Sequence, residues 1–175
     1  MTKNPKINLK RTTTDLTLEL LTLAVLIFSW VDIIIHYPKL PDNIPIHFNG
    51  SGQPDAWGDP STIFLLPIIG TLICIGLFYL NRFPHIFNYP QKITENNAKE
   101  MYQKATMMMR ILNLTTILIL TFISYQTIQT ALGEREGLDD NILLWVIGAS
   151  QLPLLYFGIV MYKKKSKIST TTQKE

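Results

Sequence analysis

Four runs of apolar residues, each long enough to cross a bilayer, constrain this chain more than any other feature. A helix spanning the hydrocarbon core needs about 20 mostly apolar residues, and residues 16–36, 61–81, 111–131 and 142–162 meet that need. The apolar residues lie in blocks rather than at one-face helical spacing, which argues against a soluble domain for a chain of 175 residues. The expected fold class is an all-α membrane protein, a four-helix transmembrane bundle. The first run also has the order of parts of a secretory signal. It is long, however, is followed by Asp32 and His36 rather than a small-residue cleavage site, and precedes three more runs. It reads as a retained span.

Basic residues set the orientation, because positively charged loops resist transfer across the membrane. Of the 16 Lys and Arg residues, only Lys39 and Arg135 fall outside the two ends and the middle loop. The bundle is therefore expected N-in/C-in. The segments are a basic N-terminus (1–15), span 1 (16–36), an external motif loop (37–60), span 2 (61–81), a cytoplasmic loop and helix (82–110), span 3 (111–131), an external acidic loop (132–141), span 4 (142–162) and a basic tail (163–175). The net charge of +3 is a topology signal, not a nucleic-acid footprint. The partner it implies is the lipid bilayer, whose anionic headgroups attract a basic tail by about 1 kcal/mol per Lys or Arg. Cys74, the single cysteine, builds neither a disulfide nor a zinc site.

No internal repeat stands out, and the polar ends, Met1 to Arg11 and Ser166 to Glu175, are expected to be mobile. Pro67 and Gly70 are expected to kink span 2. After it Asn88, Tyr89 and Pro90 make a turn, and Thr94 stands where a helix N-cap belongs, with Glu95 in the first turn. The helix that starts there is expected to run without a breaker into span 3. Met107 to Met109 point around it and so pack rather than converge on a metal. Small residues Gly70, Gly76, Gly148, Ala149 and Gly158 offer places for close helix approach.

The segment Leu40 to Gly58 carries the candidate site. Pro41 and Pro45 restrict its backbone, and Gly50, Gly52 and Gly58 permit turns. His47, Asn49, Gly52, Asp55 and Trp57 are the candidate ligand-binding residues of this conformationally restricted loop. Asp32 and His36, four apart at the outer end of span 1, share a helix face as a supporting polar pair. His36, His47, Asp32 and Asp55 together have the donor types of a divalent-metal site, but their spacing matches no compact ligand motif, so neither a metal nor a cofactor is assigned. A purely structural cap is the competing reading, with Phe48 and Trp57 anchored at headgroup depth. Ser51 lacks the scaffold of a nucleophile, base and orienting group, so the chain is not read as an enzyme. A charge inside a span is expensive. Glu19, one turn into span 1, is expected at the interface or beside Arg110 or Lys104.

The run Leu40-Pro41-Asp42-Asn43-Ile44-Pro45-Ile46-His47-Phe48-Asn49, followed by Gly52-Gln53-Pro54-Asp55-Ala56-Trp57-Gly58, resembles the hallmark of the bacterial membrane domain of unknown function 1648. That domain type is also the N-terminal part of immunity proteins against the sporulation-delay toxin. The turn motif Asn88-Tyr89-Pro90, with Ile93 to Ala98, is similar to a second signature of the same family, so the resemblance extends to about Leu112. Asp59-Pro60 stands where the family often has a basic residue, and there is room for only two spans beyond the turn, so immunity does not carry over from the first part alone. The resemblance implies a multi-pass protein of the bacterial cytoplasmic (inner) membrane. It favours a binding or sensing module for a peptide, toxin or envelope protein, and self-association is a further partner left open. An ion- or proton-coupled transport or membrane-assembly component using Asp32, His36 and Glu19 is one alternative. A metal-dependent membrane enzyme is the other.

Overall fold

A computed structural model of the protein describes residues 4–139, 141, 146, 148–151 and 153–160. Three of its helical stretches are long and apolar enough to cross a membrane: Thr13–Lys39, Pro60–Leu80 and Glu95–Ala131. Helix α1 (Thr13–His36) starts at a capping box in which Asp15 N–H donates to Thr12 Oγ1 and Thr12 N–H to the Asp15 carboxylate. Helix α2 (Leu65–Leu80) continues a 3-10 turn at Pro60–Phe64. Pro67 lies in the first turn of α2, where a missing N–H leaves no helical bond unmade, so it shapes the start of the helix instead of kinking its middle.

Helix α3 (Glu95–Ala131) is continuous over 37 residues, joining the expected cytoplasmic helix to span 3. At 1.5 Å per residue it is about 55 Å long, well beyond the ~30 Å hydrocarbon core. Thr94 N–H donates to Asn97 Oδ1 at its start. α1 and α2 pack on α3 far more than on each other. The inward stripe of α1 is Thr22, Leu26, Ser29 and Ile33, at spacings of four and three. Small and hydroxyl residues there let helices approach where lipid supplies no hydrophobic drive between them. Gly70 marks the meeting point of all three helices, since a Cβ there would lie 3.4 Å from Ile117, 3.5 Å from Leu120 and 3.8 Å from Leu26. Trp30 Nε1 donates to Thr71 Oγ1 at 3.1 Å, tying α1 to α2. Outward faces carry exposed Leu23, Ile27, Val31, Leu72, Ile75 and Leu118, as lipid-facing surfaces do.

Two expectations need correction. The protein is not all-α: the external loop folds into a two-stranded antiparallel sheet, β1 (Ile44–Phe48) and β2 (Pro54–Gly58). The N-terminal segment is not loose either. Ile7 and Leu9 pack on a cluster of Ile93, Ala98, Met101, Tyr102 and Ala105, while Lys6, Asn8 and Lys10 alternate outward. Tyr102 Oη donates to Pro5 O and Asn4 Nδ2 to His85 O, so the strap is hydrogen-bonded as well as packed. Of the expected fourth span, the described part is a shorter apolar helix, Gly148–Val160. Residues 142–145, 147, 152, 161 and 162 of that span and the basic tail 163–175 lie outside the described residues.

Candidate functional site

The hairpin sits on the ends of α1 and α3. α1 closes with a 3-10 turn at Tyr37–Lys39, and Tyr37 packs on Phe64 with ring centroids 4.9 Å apart. Ile44 is then buried in a cluster with Ile33 of α1, Ile63 of the 3-10 turn and Ile128 of α3. Four branched side chains from four elements thus fix the base of the hairpin. β2 alternates, with Pro54, Ala56 and Gly58 partly buried and Asp55 and Trp57 exposed, the period-two pattern of a strand with one solvated face.

The turn is a three-residue loop, Gly50-Ser51-Gly52. Asn49 and Gln53 close it, and Gly52 takes the left-handed φ of +77° that this loop type needs at its last position. Asn49 Oδ1 accepts from Ser51 N–H at 2.9 Å and Gln53 N–H at 3.1 Å. Gly52 O accepts from Leu138 N–H at 2.8 Å, and a Cβ on Gly52 would stand 2.7 Å from Leu138 O. The tip of the hairpin is therefore docked on the second outer loop. That loop is itself anchored by fully buried Gln126, whose Oε1 accepts from Arg135 and from Asp139 N–H. Asn49 and Gly52, expected as ligand-binding residues, are occupied in building and docking the turn.

His47, Asp55 and Trp57 remain presented outward. His47 Nδ1 lies 2.5 Å from Asp55 Oδ1, with the side chains 68% and 42% exposed. An Nδ1–H donated to the carboxylate leaves Nε2 directed away from the pair, as an acceptor in the neutral ring or a donor in the charged one. Trp57 is 54% exposed, and Ile46, which sequence reasoning did not single out, is 49% exposed. Its signal was its place between Pro45 and His47, at the register shift that lets it stand outward beside Gly58. The Asp32–His36 pair forms within α1: His36 Nδ1 lies 2.8 Å from Asp32 O and 3.2 Å from Asp32 Oδ1. The structure holds these as two separate pairs, and among the described residues no three of His, Cys, Asp and Glu converge on a metal position.

At the opposite end, Glu19 meets Arg110, with Arg110 Nε to Glu19 Oε1 at 2.8 Å. Sequence reasoning missed the other members: Asp15 Oδ1 lies 3.2 Å from Arg110 Nη1, and Arg11 Nη1 lies 3.3 Å from Glu19 Oε2. In the turn motif, Tyr89 Oη donates to Pro84 O at 2.8 Å and its ring packs on Tyr102. Burial, helped by Tyr102, pushes the Tyr89 hydroxyl well above the ordinary tyrosine range. Asn88 is exposed and Pro90 follows as the turn ends.

Residues 24–71 match the family model described as a domain of unknown function, DUF1648. The matched segment runs from α1 through the hairpin to Thr71, the hydroxyl partner of Trp30, and leaves the Asn88-Tyr89-Pro90 turn outside it. A relative described as an uncharacterized protein of Archaeoglobus fulgidus is 28% identical over 171 residues, covering 88% of this chain and 89% of that protein. No solved structure matches.

Proposed function

We propose that the DUF1648 domain of this chain is a membrane-anchored recognition module whose hairpin binds an extended peptide or protein segment at the membrane surface. The observation that carries this reading is the division within one hairpin. Ile44 and Pro45 are buried and hold it to the bundle, while Ile46, His47, Asp55 and Trp57 stand exposed. An exposed Trp beside an exposed His–carboxylate pair gives this face binding chemistry, and Trp is among the side chains that dominate binding interfaces. β2 packs substantially on β1 alone among the described elements, which leaves its outer edge for addition of a strand. The His47–Asp55 pair then offers a donor or acceptor beside the added strand, and Trp57 offers apolar area.

Following the charge asymmetry, the hairpin faces outward from a bacterial cytoplasmic membrane and the basic end faces the cytoplasm. Toxin-peptide binding, as in immunity proteins, is one form this recognition takes. We read the module as a binder on the strength of this exposed face of Ile46, His47, Asp55 and Trp57.

The test is crosslinking in native membranes from a photoreactive residue at exposed Ser51, in the hairpin tip. A discrete peptide or protein adduct that disappears in Trp57→Ala and His47→Ala is the expected result. Adducts with lipid alone would instead make Trp57 and Ile46 headgroup anchors and refute recognition.

A further inference from the structure

Two adjoining cavities lie at the end of the bundle opposite the hairpin, and they differ in character. One, of about 300 Å³, is polar and bounded by the N-terminal strap, α1 and the Arg82 turn. The other, of about 340 Å³, is mostly apolar and runs between α1 and α2, which touch each other less than either touches α3. Glu19, Phe78, Asn81 and Arg110 line both. The second opens beside Leu20, Leu23 and Ile75, each at least half exposed on the lipid-facing surface.

The polar cavity has a surplus of positive charge. Lys10, Arg11, Arg82 and Arg110 line it against only Asp15 and Glu19. Both carboxylates are already paired with Arg110 and Arg11, which leaves Lys10 and Arg82 without a carboxylate partner among the described residues. The guanidinium carbons of Arg11 and Arg82 lie 5.4 and 5.2 Å from the centre of the same Phe78 ring. Both guanidinium groups are thereby held at the Phe78 side of the cavity, Arg11 answered by Glu19 and Arg82 by no carboxylate among the described residues. Deeper in, Asn81 Oδ1 and Asn113 Oδ1 are buried with no hydrogen-bond partner, and Asn113 is only 8% exposed. Buried amide oxygens are ordinarily paired, so unanswered ones at a cavity wall point to a missing donor.

We infer that this composite cavity binds an anionic phospholipid. Its phosphate is held by Lys10 and Arg82, a hydroxyl of a glycerol headgroup donates to Asn81, and one acyl chain enters the slot between α1 and α2 sideways from the bilayer. Each half of the cavity then meets the chemistry it is lined for: surplus cations meet phosphate, and apolar walls meet hydrocarbon.

The test is native mass spectrometry of the full chain released from nanodiscs of mixed phosphatidylglycerol and phosphatidylcholine. One phosphatidylglycerol retained in preference to phosphatidylcholine is expected. A basic residue near the membrane surface contributes about fivefold in affinity for anionic lipid, so Arg82→Gln lowers retention about fivefold and Lys10→Gln/Arg82→Gln about 25-fold. Neither residue has an ion-pair partner to strand among the described residues. Ile75→Trp, which fills the slot and leaves the charges in place, also lowers retention. Equal retention of the two lipids, retention unchanged in both variants, or release by millimolar inorganic phosphate alone would each overturn the assignment, the last by showing an anion site without a lipid tail.

Discussion

Arg110→Gln is the substitution whose outcome the structure fixes most tightly. The Arg110 side chain is 10% exposed, and its partners Glu19 and Asp15 are 14% and 15% exposed. Breaking a buried pair by removing one partner costs roughly 3–5 kcal/mol, because the other charge is left unanswered. Here two carboxylates are stranded, but Arg11, half exposed, still reaches Glu19 at 3.3 Å. A pair that open returns about 0–1 kcal/mol, so the expected net loss is about 2–5 kcal/mol. Glu19→Gln alone removes less, since Arg110 keeps Asp15. Adding Glu19→Gln to Arg110→Gln recovers part of the loss, because one of the two stranded carboxylates is gone and Asp15 alone remains. The coupling between the two sites is expected to be about 1.5–3 kcal/mol, the range for a hydrogen bond to a charged group. The assay is reversible unfolding in mixed detergent micelles followed by circular dichroism, run as a double-mutant cycle. A loss below about 0.5 kcal/mol for Arg110→Gln, or strict additivity, would show the network to be hydrated and the burial argument wrong.

Three further outcomes are expected. Gly52→Ala places a methyl 2.7 Å from Leu138 O at a φ of +77°, and the left-handed strain alone is about 1–2 kcal/mol; hydrogen exchange at the Leu138 amide should accelerate, and unchanged protection would mean the two outer loops are not docked. Trp30→Phe removes the bond to Thr71 and should lower stability by about 0.6 kcal/mol, the typical value for such bonds between membrane helices, whereas a loss above about 2 kcal/mol would show that ring packing dominates. The Tyr89 hydroxyl, raised on folding, binds its proton more tightly in the native state. Its contribution is therefore complete below the unfolded tyrosine value of about 10 and is lost as pH rises through the higher folded one. Tyr89→Phe should flatten the alkaline limb of the stability profile, and identical limbs would contradict the burial of that hydroxyl.

Three of the four expected spans were legible because bilayer thickness leaves a block signature, and the length of α3 because Thr94 caps a stretch without Pro or Gly. Glu19 was placed beside Arg110 because an intramembrane carboxylate needs a partner. The hairpin was obscured by its own Pro and Gly residues, which read as a loop. Yet the alternation of Asp55 and Trp57 with Pro54, Ala56 and Gly58 is a strand pattern, and Asn49 with Gly52 is turn chemistry. The strap was hidden by four basic residues that suggested a solvated tail. Ile7 and Leu9, two apart, carried the signal, but two residues are too few to declare a period. Which carbonyl Gly52 offers to Leu138, and the pairing of Gln126 with Arg135, depend on tertiary approach and leave no local mark.

The unbroken α3 has a mechanical consequence. Ile128 and Gln126 near one end hold the base of the hairpin and the second outer loop, while Tyr102 and Ala98 near the other hold the strap. With no Pro or Gly from Glu95 to Ala131, it has no hinge at which to absorb a push. It acts as a stiff lever about 55 Å long, so a tilt of roughly 5° at the hairpin end carries the far end by roughly 5 Å. Tyr102, about 39 Å along the helix from Ile128, moves roughly 3 Å in that tilt, and with it the docking place of Pro5, Ile7 and Leu9. Occupancy of the hairpin would thereby be reported at the opposite end of α3 as a change in how firmly the strap of Pro5, Ile7 and Leu9 is held.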